Sequence, residues 1–380
     1  MAINLVTLGD KLRKYRDQLQ ETVAEVAAVT GISESRFTDM EAGRVEPTGD
    51  EILILADHFQ CDFRYFISNE RVAPFEQTDV LYRRHGEVFR KADRRAVQEF
   101  LYLCETEAFL MAELGRTHTE FQFQPHGTFL KGHGEAAAAA LRNALGYADR
   151  EVRRDVFADF RQIGVHVFRR RLGNSNISGL FILHPTAGRC ALVNYDEDIY
   201  RQRFSGAHEV AHAIFDLDQE ATVSLDRYPG LDLREVRANR FASCFLMPPE
   251  FLKKIRVTQR WSDEECLHWA NELRVSCSAL GIALAEAGLV EPQRGEKIQK
   301  LHVPNDAKKD PELPDGLTEE QRKKKAYLLE LGLSDFYVGL CFDAFKEGAI
   351  SQGRLTEALL MSCSGLGELA ALYGRSLHGH

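Results

Sequence analysis

The run His208-Glu209-Val210-Ala211-His212 constrains this chain more than any other stretch. Histidines at i and i+4 share a face only where the backbone is helical, and residues 201–215 carry apolar positions at helical spacing. On such a helix both imidazoles reach one Zn²⁺ at about 2.0–2.1 Å, with Glu209 beside them as general base for a metal-activated water. A third ligand must come from another element. Residues 233–242 read as a second amphipathic helix, and where two helices cross, Glu235 can meet the same ion and leave a fourth position open. Asn239 follows one turn later on the same face, placed to hold the outer nitrogen of a ligand histidine. Asp216, Asp218, Glu220 and Glu250 are competing carboxylates, although Asp216, four residues past His212, suits a helix cap or a hydrogen-bond partner better. The alternative is two histidines on an ordinary helix face. The expected set is His208, His212 and Glu235 for Zn²⁺, with Mn²⁺ as a substitute ion.

At 380 residues the chain exceeds one ordinary domain. Hydrophobic residues at 44% and charged residues at 28% describe a globular protein and exclude wholesale disorder or a fibrous chain. No apolar run approaches the roughly 18 residues of a membrane span, and the N-terminus shows no basic and apolar leader. Eight scattered cysteines form no Cys-x-x-Cys pair, which predicts free thiols in a reducing, cytoplasmic setting. The net charge of −9 argues against general nucleic-acid coating, though not against a local basic face.

Residues 8–19, 22–29, 33–42, 51–59 and 62–66 read as five short helices, with Gly31-Ile32 turning between the second and third and Ser33 as an N-cap. On Val26-Ala27, Gly31-Ile32-Ser33, Met40-Glu41-Ala42-Gly43, Pro47, Leu55-Ala56, Asp62 and Phe66, this stretch resembles the Xre (lambda-repressor-like) helix-turn-helix family. The resemblance implies double-stranded DNA as partner for residues 8–68, with Ser33, Glu34, Ser35, Arg36 and Thr38 offered to the major groove. Arg36 suits guanine and Glu34 suits cytosine. Residues 1–70 hold 7 Lys+Arg against 13 Asp+Glu, a handicap on a polyanion, so a protein-docking or dimerising module is the competing reading.

The expected organisation is a helix-turn-helix at 1–70, a helical connector at 71–134, a catalytic-type domain at 135–290, a linker at 291–322 and a helical domain at 323–380. In the connector, Tyr82-Arg83-Arg84 and Arg90 to Arg95 form a basic stretch read as a solvated helix face, and 101–114 reads as a helix. Alanine-rich 135–142 and then 152–162 read as helices. Strands follow at 164–168, 178–182 and 190–195. The Pro-, Lys- and Asp-rich run around 303–311 reads as linker, and 336–346, 355–360 and 366–373 as a three-helix tail. The fold class expected is α+β, predominantly helical, with one small central sheet.

Residues 201–212, 235–242 (Glu235-Val236-Arg237-Ala238-Asn239-Arg240-Phe241-Ala242) and Phe245-Leu246-Met247-Pro248 resemble the ImmA/IrrE-type zinc metallopeptidases, over roughly 135–290. So do the strand ending at Asn194 and Leu273-Arg274-Val275-Ser276 before a helix. The resemblance implies Zn²⁺ on His208, His212 and Glu235, Glu209 as catalytic base, and cleavage of a small helix-turn-helix repressor that releases transcription. It supplies no oxyanion-stabilising group; Tyr195, Tyr200, Tyr228 and His184 are candidates. The tail resembles the C-terminal module of such fused regulators and is expected to support a homodimer. Strand 190–195 is expected to sit at a sheet edge and pair with an extended substrate. Two other readings compete. One is a non-proteolytic transcription factor whose metallopeptidase-like domain senses a ligand or metal. The other is a partner protein of a toxin–antitoxin or phage-defence system.

Overall fold

The computed structural model describes residues 3–61, 63–69, 78, 81–82, 86–219, 221–225, 232–255 and 261–377. Asp62, Arg83, Arg84, Glu220 and Tyr228 lie outside them. The chain divides into two compact units, residues 1–105 with 172–174, and residues 106–171 with 175–380.

In the first unit, α1 (Leu5–Gln18), α2 (Val23–Thr30), α3 (Glu34–Glu41), α4 (Gly49–Phe59) and α5 (Phe63–Ile67) follow the five-helix expectation. Each start has a local cause. Thr22 and Thr48 form capping boxes with Glu25 and Glu51, and Ser33 caps α3. Gly31 takes φ 73° between α2 and α3, a left-handed value that glycine adopts without strain. Leu8, Leu12, Tyr15, Phe37, Leu55 and Phe59 fill the core.

The helix within the connector, α6, runs Lys91–Glu113 and so begins ten residues before the expected 101. Its basic start is not a solvated face. Asp93 is fully buried and accepts from the backbone amides of Arg90, Gly173 and Asn174. Arg94 is buried over the Tyr82 ring and donates to the Gln18 carbonyl. Composition counts these charges but does not see that backbone groups satisfy them.

The second unit holds α7 (Leu130–Ala144), α8 (Val156–Gln162), β1 (Val165–Arg170), β2 (Ile177–His184), β3 (Gly188–Asn194), α9 (Ile199–Phe215), β4 (Ala221–Leu225) and α10 (Leu233–Leu246). After these come α11 (Pro249–Lys253), α12 (Asp263–Leu273), α13 (Cys277–Glu286), α14 (Pro292–Ile298), α15 (Glu319–Glu330), α16 (Asp335–Lys346), α17 (Gln352–Ala358) and α18 (Cys363–Leu372). Among the described residues the expected class, predominantly helical with one small sheet, is what the protein has. The sheet order is β1-β3-β2-β4, with β1 and β3 parallel and the other pairs antiparallel. Strand 190–195 is therefore not an edge. β3 is hydrogen-bonded on both sides, and β4, which sequence reading missed, closes the sheet at its β2 end. β4 is five residues of modest hydrophobicity, too short for periodicity to mark.

Helix α9 lies across β2 and β3. Asp198 caps it, accepting from the amides of Tyr200 and Arg201. Arg203 is buried at its first turns, where it donates to the carbonyls of Arg153, Arg154 and Arg274. The alanine run of α7 packs on α10. Ala137 and Ala138 are fully buried, and a Cβ on Gly134 would stand 2.5 Å from the Arg237 carbonyl oxygen. Small residues thus let two helices touch backbone to backbone, which sets the position of α10.

The expected linker at 291–322 is packed structure. Ile298 is fully buried, and Asp310 and Glu312 close on buried Arg169 of β1. A guanidinium taken from water needs such partners, and composition cannot reveal that Arg169 is the one buried. The three-helix tail is four helices, α15–α18, with Tyr337 of α16 against Phe168 of β1 at 5.5 Å.

Candidate metal centre

Helices α9 and α10 cross so that three donor groups meet. His208 Nε2 and His212 Nε2 lie 3.1 Å apart. Glu235 Oε2 is 3.0 Å from the first and Oε1 is 3.3 Å from the second. Ligands at about 2.0–2.1 Å around a tetrahedral ion stand roughly 3.3–3.4 Å from one another, so these separations suit one shared cation. The outer nitrogens support the same geometry. His212 Nδ1 donates to Asp216 Oδ2 at 2.8 Å, and His208 Nδ1 pairs with Asn239 Oδ1 at 3.1 Å. With both protons on Nδ1, two Nε2 lone pairs and a carboxylate face one point, an arrangement a cation stabilises.

Asp216 ends α9 as its C-cap and takes no place in this triangle. Its other oxygen accepts from Arg237 Nη2 at 2.6 Å, so α10 also braces the support of His212. Burial works to raise Asp216, and His212 and Arg237 outweigh it and hold it low. Burial likewise works against ionised Glu235, yet the two imidazoles hold it at about 2. Burial disfavours a charged His212, but Asp216 and Glu235 push it up to about 10. The pocket is electronegative and selects positive charge.

Glu209 is fully buried, and neither carboxylate oxygen has a hydrogen-bond partner among the described residues. Burial pushes its pKa up, against the pull of His208 and His212. An unpartnered buried carboxylate beside a convergent donor set is costly unless it serves chemistry. Its floor is Gly179 of β2, where a Cβ would meet Glu209 Oε1 at 2.7 Å. The β2–β4 register slips between Ile177 and Gly179, and Ser178 Oγ donates to the Ser224 carbonyl across that irregularity. Gly179, Ser178 and Ser224 escaped sequence reading because only strand pairing brings them to Glu209.

A cleft of about 670 Å³ opens over His208, Glu235 and Asn239, with Ser178 and Ser224 of the sheet and Lys308 also lining it. The oxyanion candidates among the described residues, Tyr195, Tyr200 and His184, do not line it. The Tyr200 hydroxyl donates to Asn271 Oδ1 at 2.6 Å, and His184 Nδ1 accepts from the amides of its own turn, Thr186 and Ala187. Tyr195 packs by Arg169, and burial raises its phenol to about 12. Asp218 pairs with Arg234 and Glu250 with Lys253, both outside the donor triangle.

In the first unit, α3 presents Glu34 and Ser35 to solvent. Arg36 is engaged: Nε and Nη2 reach Glu51 Oε1 and Oε2, each at 2.9 Å, and Nη2 also reaches the Glu46 carbonyl. Ser33 caps its own helix, and Thr38 donates to the Glu34 carbonyl. Arg16 pairs with Glu41, and Arg44 with Asp39.

Comparison with known families agrees with this geometry. Residues 7–62 match the model of a helix-turn-helix domain, and residues 160–285 match the IrrE N-terminal-like domain of peptidase family M78. No curated protein matches the chain. The Xre-like and ImmA/IrrE-like resemblances are thereby borne out at domain level. The chain joins an N-terminal helix-turn-helix domain to a central IrrE N-terminal-like, M78 metallopeptidase-like domain whose His208, His212 and Glu235 form a group able to hold a metal ion.

Proposed function

We propose that this protein is a cytoplasmic zinc endopeptidase and transcriptional regulator that cuts a small helix-turn-helix repressor. The observation that carries the reading is the convergence of both Nε2 atoms and the Glu235 carboxylate beside buried, unpartnered Glu209. Two imidazoles and a carboxylate suit zinc, and such an ion supplies Lewis acidity and an activated water. With such an ion held there, Glu209 would be the group placed to hold the proton of the attacking water on a carboxylate oxygen and to hand it to the leaving amide nitrogen. Its raised pKa serves both halves of that transfer. Asp216 and Asn239 keep the imidazole protons on Nδ1.

Selectivity lies outside the donor set. β4 closes the sheet beside the cleft, and an extended substrate segment adds to it by backbone pairing. The eight cysteines are all free thiols, in keeping with a reducing compartment. Among the described residues no single helix is long and apolar enough to cross a membrane. The deciding experiment incubates the full chain with the helix-turn-helix protein encoded beside it, with zinc or with chelator, and reads intact mass. One cut that needs zinc and vanishes in Glu209→Gln supports the reading. Robust digestion of casein by the wild type overturns the regulatory part.

For the first unit we infer duplex DNA binding and a homodimer. The Arg36–Glu51 pair favours a second reading, a docking surface for a protein partner, because a base-reading arginine would have to leave a bidentate carboxylate. Gel retardation of the protein's own promoter at low salt separates the two.

A further inference from the structure

A second cavity, of about 1060 Å³, shares no lining residue with the cleft over the metal centre and lies within the second unit. Met111, Phe121, Leu145, Ile163 and Phe336 give it apolar walls, and Arg161 of α8 lies among them. That volume matches the upper range of small-molecule sites, which are mostly apolar with a few placed polar groups.

The charges around it are unequal. Arg116 is taken by Asp343 at 2.7 Å, and Glu120 by Arg189 at 2.7 Å. Arg161 differs. Its Nη2 donates to the Val167 carbonyl at 2.8 Å and to Ser334 Oγ at 3.3 Å, both neutral, and its guanidinium lies 5.0 Å over the Phe336 ring. Among the described residues no carboxylate forms an ion pair with it, and its charge is felt by buried Glu312, which is itself bound by Arg169. His118 adds a second basic group: its ring rests on Gly164, where φ is 82° and a Cβ would stand 2.5 Å from the imidazole. A cation held by neutral acceptors in an apolar hollow attracts an anion with an apolar body.

We propose that this cavity binds a small amphipathic carboxylate, its head at Arg161 and its hydrocarbon body against Phe121, Leu145 and Phe336. The site is independent of the metal centre and of any proteolytic role.

The test titrates the full-length protein with octanoate, octan-1-ol and octylammonium by calorimetry, with and without chelator. The expected result is saturable octanoate binding at least about tenfold tighter than octanol, no octylammonium binding, and no effect of chelator. Ala158→Phe, which fills the cavity, should abolish octanoate binding. Arg161→Gln should reduce octanoate to the level of octanol. Equal binding of octanoate and octanol by the wild type overturns the proposal. So does octanoate binding that survives Ala158→Phe, or that disappears with chelator and so belongs to the metal centre. Should Arg161→Gln fail to fold, the wild-type comparison of the three head groups still decides.

Discussion

Glu209 lays its carboxylate on the bare backbone of Gly179: a Cβ there would stand 2.7 Å from Oε1 and 2.8 Å from the Leu192 carbonyl oxygen. One obstacle is a side chain that can swing and the other is a strand that cannot. Gly179→Ala should therefore displace Glu209 and cost about 1–3 kcal/mol from overpacking. Urea denaturation should record the loss, and metal analysis should find the ion retained. A variant as stable as the wild type would show that Glu209 is not held against β2.

Metal content separates the ligands from the base. His208→Ala and His212→Ala should each purify with little zinc, and Glu235→Gln with weakened affinity. Glu209→Gln should keep about one ion per chain, because its oxygens lie outside the donor triangle. Elemental analysis decides, and zinc lost from Glu209→Gln but kept in Glu235→Gln would reverse the two roles.

A buried pair far from the metal should set an alkaline limit on stability. His166 Nδ1 meets Glu107 Oε1 at 2.8 Å. Burial works against the charged ring, the Glu107 carboxylate outweighs it, and His166 is pushed up to about 9. A histidine raised in the folded state stabilises fully below its unfolded value of about 6.5 and loses that contribution as pH climbs through about 9. The contribution is on the order of 3 kcal/mol. Unfolding free energy should decline between those pH values in the wild type, and the decline should flatten in Glu107→Gln. Parallel pH curves for the two proteins would show the pair to be inert.

Releasing Arg36 tests how the first unit meets DNA. Glu51→Gln keeps the amide partner of Thr48 that the capping box needs but removes the charge that clamps Arg36. If α3 reads a duplex through Arg36, gel retardation should strengthen severalfold and should still weaken steeply with salt. Unchanged retardation in Glu51→Gln removes Arg36 from the reading surface.

Much of this protein was legible along the chain because its causes are local. Two histidines one turn apart imply a helix and a shared ion, and Thr22, Gly31, Ser33 and Thr48 punctuate α2 to α4 by capping and turn chemistry that acts over three or four residues. The overall class and both domain resemblances follow from such short-range patterns. Tertiary structure alone decided the rest. It buried Asp93 and Glu312, which read as solvent-facing and linker until partners distant in sequence, Gly173 and Arg169 among them, were brought to them. It put β3 inside the sheet and β4 at its edge, since strand order depends on pairing and not on pattern. It turned Arg36 to Glu51, and it set Gly179 under Glu209. Spacing along a chain determines which side chains share a face, whereas burial and pairing depend on what the rest of the fold brings to that face.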